Sequence, residues 1–93
     1  MELEQLRAFA AVAEEKSYTK AGERMYMSHS TMSRAVSALE QEFGVRLISR
    51  DNHVAGLTSE GEKLYEMAKK LLDMASEIEE KMHSDRIEPI SQK

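Results

Sequence analysis

The sequence predicts a mainly α-helical fold in which three short helices and a small two-stranded hairpin lead into one long helix. Three observations predict it. Apolar residues recur at helical intervals in four separate segments. Asp51-Asn52-His53 supplies turn chemistry between two brief apolar runs that precede the last segment. Ser17, Ser28 and Thr58 stand just before three of the segments, where N-cap residues are expected.

Leu3, Leu6, Phe9, Ala10 and Ala13 mark a first amphipathic helix over roughly residues 3–15. A second, short helix over about 18–25 follows the Ser17 cap and buries Tyr18, Ala21 and Met25. Tyr26 and Met27 form a turn. Ser28 caps a third helix whose apolar stripe is Met32, Ala35, Val36, Leu39 and Phe43, and Gly44 ends it where a left-handed residue is expected. Val45 to Arg50 predicts a strand, with Leu47 and Ile48 as its apolar pair, and Val54 to Leu57 a return strand broken by Gly56. Thr58 caps a long helix over 59–83. Residues 84–93 contain a proline and little pattern, which predicts a disordered tail. Met25, Met27 and Met32 are expected as core filler between helices.

Ninety-three residues make one domain, and the absence of cysteine excludes a disulfide framework or a thiolate metal site. The opening Met-Glu-Leu-Glu-Gln is acidic and no long apolar run follows it. The expectation is therefore no signal peptide, no membrane span and a cytoplasmic location. The net charge of −4 argues against a nucleic-acid partner only until its distribution is considered. Residues 17–54 hold Lys20, Arg24, Arg34, Arg46 and Arg50 against Glu23, Glu40, Glu42 and Asp51, a balance of +1, while acid gathers in the first helix and the C-terminal third.

The third helix carries the functional signal. Opposite its apolar stripe lie Ser30, Ser33, Arg34, Ser37 and Gln41. Solvated helix faces usually carry Glu and Lys, and serine is a mediocre helix former. Short hydroxyls permit close approach to another surface, and Arg and Gln are among the side chains that read base edges. Two short helices joined by a tight turn form a helix-turn-helix, and the strand–turn–strand after them is a wing. In such a winged helix-turn-helix the third helix enters the major groove with its first residues nearest the bases. Double-stranded DNA is the expected partner, and residues 1–58 are its expected binding domain.

The long helix predicts a second partner. Leu64, Ala68, Leu71, Ala75, Ile78 and Met82 follow coiled-coil spacing, and Met67 and Leu72 widen the seam. A helix of this length extends about 37 Å, further than so small a body covers. A homodimer through the 59–83 helix is expected, the alanines permitting close approach in an antiparallel pair.

Leu6, Phe9, the run from Ser17 to Ala21, Arg24, Ser28, Ser33, Leu39-Glu40, Phe43-Gly44-Val45, Leu47, Arg50, Leu57-Thr58 and Gly61 together resemble the N-terminal domain of LysR-type transcriptional regulators, over about residues 2–83. The resemblance implies a regulator that binds inverted-repeat promoter sites as a dimer through its linker helix. It also implies a larger effector-binding domain, expected to be absent from this chain. Arg34 matches a DNA-contacting position of the family and suits a guanine edge or a phosphate. Arg50 matches a family arginine that serves as phosphate contact or internal ion pair. Four departures stand out: His29-Ser30 for the family's Gln-Pro, Ala21-Gly22 for Ala-Ala, Leu47-Ile48-Ser49-Arg50 for Leu-Phe-x-Arg, and a wing tip without arginine.

The expected DNA-binding residues are thus Thr19 and Lys20 at the start of the second helix, where helix N-termini favour phosphate; His29, Ser30, Thr31, Ser33, Arg34 and Ser37 on the third; and Arg50 and His53 in the wing. Thr31 lies nearer the buried side, and Ser37 deeper along the helix. Glu40 is expected to be structural. No nucleophile arrangement or phosphate loop is present, and His29, His53 and His83 fall on different elements. Neither an enzyme, a cofactor nor a metal is expected. The rival reading is a helical interaction module that pairs with a full-length regulator without binding DNA strongly, which the net acidity and the wing favour.

Overall fold

A computed structural model of the chain describes residues 1–49 and 56–85, the side chain of Asp85 excepted. Helices α1 (Leu3–Glu15), α2 (Tyr18–Met25) and α3 (His29–Phe43) precede strands β1 (Ile48–Ser49) and β2 (Gly56–Leu57) and the long helix α4 (Ser59–Asp85). The strands pair antiparallel with Ile48 opposite Leu57 and Ser49 opposite Gly56. The winged helix-turn-helix with an appended long helix is therefore the architecture.

Local chemistry sets the helix ends. The Ser17 hydroxyl accepts from the Lys20 N–H at 3.0 Å, and the Ser28 hydroxyl from the Thr31 N–H at 3.1 Å. Each satisfies a donor left over at a helix start. Gly44 ends α3 with φ +66°. Lys16 and Tyr26 close α1 and α2 in the same left-handed conformation without being glycine.

The core joins Leu6, Phe9 and Val12 of α1 to Ala21 of α2, Met32, Val36 and Leu39 of α3, Leu47 and Ile48 at the wing, and Ala68 of α4. Burying each large side chain stabilises the fold by about 1.5–3 kcal/mol. Glu40, expected to be structural, has its carboxylate accept the backbone N–H groups of Leu47 at 2.8 Å and Ile48 at 3.2 Å. It thereby holds the start of β1 against α3. On the other side, Thr58 donates its hydroxyl to the Arg46 carbonyl at 2.6 Å and its N–H to the Leu47 carbonyl at 3.0 Å.

Four expectations need correction. The first strand starts at Ile48 rather than Val45, because Val45 to Leu47 form the turn out of α3 and the Glu40-bound stretch; the expected strand positions Arg50, Val54 and Ala55 lie outside the described residues. Helix α4 runs past residue 83 to Asp85, so the tail expected from 84 begins as helix, and its remainder is not among the described residues. Phe43, expected on the buried stripe, is 44% exposed; it falls in the last turn of α3, where the core has ended. Leu64 and Ala68, both expected in the dimer seam, pack on this chain's own core, Ala68 being 2% exposed and Leu64 half-buried. The apolar residues of α4 form two stripes rather than one. Leu64, Ala68 and Leu72 face the body, whereas Met67, Leu71, Met74, Ile78 and Met82 are exposed.

A polar cluster without any local sequence signature ties α1, α2 and α4 together. Glu14 pairs with Arg24 at 2.7 Å and accepts the Tyr65 hydroxyl at 2.6 Å, and Arg24 also reaches Glu15 at 3.2 Å. Burial raises the pKa of Glu14, but hydrogen bonds from Tyr65 and Arg24 and the charges of Arg24 and Lys69 outweigh it and hold the carboxyl below its ordinary 4.5. The bond to Glu14 likewise pushes the Tyr65 hydroxyl up to about 12. A carboxyl with a depressed folded pKa stabilises the fold above its unfolded value and ceases to do so as pH falls through the folded one. Thermal melts from pH 7 to pH 3 should therefore fall more steeply below about pH 5 for the parent than for Glu14→Gln. Parallel curves would remove this role from Glu14.

Candidate nucleic-acid interface

Helix α3 turns its apolar side onto α1 and leaves its first turns open. His29, Ser30, Thr31 and Arg34 are exposed, and Ser33 and Ser37 are half-buried. No described carboxylate pairs with Arg34, so its guanidinium is available to an outside partner. Thr31 has a local task as well. Besides donating its N–H to Ser28, its hydroxyl lies 2.9 Å from the Ser28 hydroxyl. Its side chain is thus part of the cap that starts the helix and is committed before any partner arrives.

The His29 ring meets the Tyr18 ring at the start of α2, centroids 5.3 Å apart and planes tilted 45°. Thr19 and Lys20 follow Tyr18 and are exposed. The fold therefore brings the starts of α2 and α3 together, and with them most of the expected contact residues. Arg24, although basic and on the same helix, is turned away into the Glu14–Glu15 pairing. Ser37 stands apart from the first turns, in a hollow shared with Glu40, Gln41, Gly44, Val45 and Arg46. Arg50 and His53 lie outside the described residues.

One residue beside this surface and one exposed turn residue carry no signal in the sequence pattern. Arg46 is exposed and lines that hollow between α3 and the wing; it stands outside both helical stripes, so periodicity gave it no weight. Tyr26 is 95% exposed in a left-handed turn conformation, where glycine or asparagine is the expected choice. Among the described residues no group of three or more His, Asp or Glu side chains is placed to hold a metal ion, and no helix is long and apolar enough to cross a membrane.

With this geometry in view, comparison with known proteins is specific. The family of bacterial regulatory helix-turn-helix proteins of lysR type matches residues 3–62. The transcriptional regulator BenM of Acinetobacter baylyi is 38% identical over 78 residues, which cover 84% of this chain and 26% of BenM. The chain thus spans about a quarter of that relative's length. Among solved structures, the BenM DBD in a complex with catB site 1 DNA superposes with TM-score 0.86 at 35% identity, covering 95% of this chain and 97% of that one. The CbnR DBD in its DNA complex gives 0.82 at 32% identity, covering 91% and 98%. Sequence, element order and three-dimensional form agree: the chain belongs to the lysR family of bacterial regulatory helix-turn-helix proteins.

Proposed function

We propose that the chain is the DNA-binding module of a transcriptional regulator and that it binds inverted-repeat promoter sites as a homodimer. The observation that carries this reading is the open first half of α3. It is a rigid, capped helix that presents imidazole, hydroxyl and guanidinium groups but no carboxylate over its first three turns. His29, Ser30, Ser33 and Arg34 would face base edges. Thr31 would rim the groove, Ser37 lie further along it, and Thr19 and Lys20 hold the neighbouring phosphates. The solved DNA complexes of the BenM and CbnR domains support DNA as the partner.

The dimer is supported by the outer stripe of α4. Met67 and Met82 are equidistant from a point between Met74 and Ala75, and so are Leu71 and Ile78. A stripe symmetric about its own midpoint is self-complementary in an antiparallel pair, as a two-fold interface requires. Charge favours the same direction. Glu77, Glu79 and Glu80 crowd the second half of α4, whereas Glu60, Glu62 and Glu66 are balanced by Lys63, Lys69 and Lys70 in the first. A parallel pair would set the acidic halves side by side. Intracellular placement and the absence of enzymatic activity go with this reading.

Selection of bound sites from a random duplex library, followed by titration of Arg34→Ala, tests it. Loss of about 1–3 kcal/mol with relaxed preference at one position per half-site makes Arg34 a base contact. Uniform weakening, with the salt dependence reduced by about one counterion, makes it a phosphate contact. An Arg34→Ala protein that binds as the parent does removes the interface from α3. An intact dimer that binds no duplex even at low salt would favour the rival reading of a pairing module.

A further inference from the structure

We propose that Tyr18 is a positioning residue for His29, and that the imidazole it holds sets the base preference at one position of each half-site, with guanine favoured. The inference rests on the reading of α3 as the DNA-facing helix. His29 is the first residue of that helix and follows directly on its Ser28 cap, so its side chain is among those nearest the bases. An exposed imidazole on a helix end ordinarily samples several rotamers. Here the Tyr18 ring covers one side of it, at a centroid separation of 5.3 Å and within the range of favourable aromatic pairs. Tyr18 is itself fixed. Its ring packs against the core, and its hydroxyl is buried without a hydrogen-bond partner among the described residues. The phenol is therefore not used to reach a phosphate; what it offers the interface is its ring.

The approach of α2 to α3 that permits this contact depends on Gly22. The Met27 N–H donates to the Gly22 carbonyl at 2.8 Å, and a β-carbon at Gly22 would lie 2.5 Å from the Met27 carbonyl oxygen. Any larger residue at that position forces the turn to open.

The chemistry of the ring selects the base. A neutral imidazole has one N–H donor and one acceptor nitrogen, and the two point to opposite sides of the ring, so only one of them can face a given base edge. In the major groove guanine presents two adjacent acceptors, N7 and O6, whereas adenine flanks its N7 with a donor and cytosine presents only a donor. Thymine offers one acceptor, O4, beside a methyl group, so a single donor held in place finds a partner on guanine over a wider range of positions than on any other base. Glutamine, with a donor and an acceptor on one amide, is instead matched to adenine.

The test is site selection with the parent, His29→Gln, Tyr18→Phe and Tyr18→Leu, each checked by thermal melting. The parent and Tyr18→Phe should select guanine at the same position, because the ring is kept and only an unpaired hydroxyl is lost. His29→Gln should exchange guanine for adenine there. Tyr18→Leu should reduce discrimination at that position roughly fivefold while the remaining positions keep their preference. Should Tyr18→Leu fail to fold, proton spectra of the free parent still decide. The ring protons of His29 should be displaced by the Tyr18 ring current relative to those of the exposed His83, and resonances without that displacement overturn the proposal. Unchanged site preference in His29→Gln, or equal weakening at every position in Tyr18→Leu, overturns it too. A parent that selects no site at all refutes the DNA-binding reading, a distinct failure.

Discussion

Gly61→Ala is expected to lower the stability of the domain by about 2–4 kcal/mol, although alanine is the better helix former by about 1 kcal/mol. Gly61 lies buried in the first turn of α4, directly against the backbone of Leu47. A β-carbon there would overlap the Leu47 carbonyl oxygen and come within 3.2 Å of the Leu57 side chain. Neither side is free to yield. The Leu47 carbonyl accepts from the Thr58 N–H at 3.0 Å, its own N–H is held by Glu40 at 2.8 Å, and the Gly61 N–H donates to the Thr58 hydroxyl at 3.0 Å. Relief of the overlap must therefore lengthen bonds that fix both the wing and the start of α4. A typical domain is stable by only about 5–15 kcal/mol, so the loss is visible in urea denaturation followed by circular dichroism. Gly56→Ala is the control, since a β-carbon there meets nothing within 4 Å. A Gly61→Ala protein as stable as the parent would show that α4 and β1 are not locked together in this way.

Gly61 also illustrates what could be read from the chain and what could not. Its importance entered through a family resemblance; nothing in its local pattern says that another segment passes against it. The caps Ser17, Ser28 and Gly44 were legible because a cap is a local event, decided by a residue and its neighbours within a turn. The span of α3 and the make-up of its open face followed from periodicity for the same reason. Long-range pairing left no such trace. Glu14, Arg24 and Tyr65 meet only once three helices have packed. Ala68 was assigned to the wrong partner because a helix with apolar residues on two adjacent stripes has one broad signature in sequence. Which stripe the body claims depends on the angle at which α4 crosses α1. Phe43 failed similarly: its helical phase is correct, but the core ends before its turn does. For the interface, sequence identified the helix, while the Tyr18–His29 contact depends on the spacing of α2 and α3.

Leu71→Glu is expected to convert the proposed dimer into monomers and to weaken binding to a two-half-site operator far more than binding to a single half-site. Leu71 lies on the outer stripe with Met67, Met74, Ile78 and Met82, all at least two-fifths exposed in the single chain. Near Met67 the stripe runs into an apolar hollow lined by Phe43, Val45, Leu47 and Leu64, which the end of a partner helix would cover. Each large apolar side chain buried there contributes about 1.5–3 kcal/mol. A carboxylate in its place forfeits that and adds a desolvation penalty. In a two-fold interface the substitution counts twice, so dissociation should strengthen by at least two orders of magnitude, roughly 3 kcal/mol or more. Sedimentation of the variant decides the point, and an unchanged dimer would exclude the α4 stripe as its interface. The direction of pairing is open to a separate check because the chain has no cysteine of its own. When Met67→Cys and Met82→Cys proteins are mixed and mildly oxidised, an antiparallel pair joins one to the other. A parallel pair joins each to itself, and that product would refute the symmetry inferred from the spacing of the stripe.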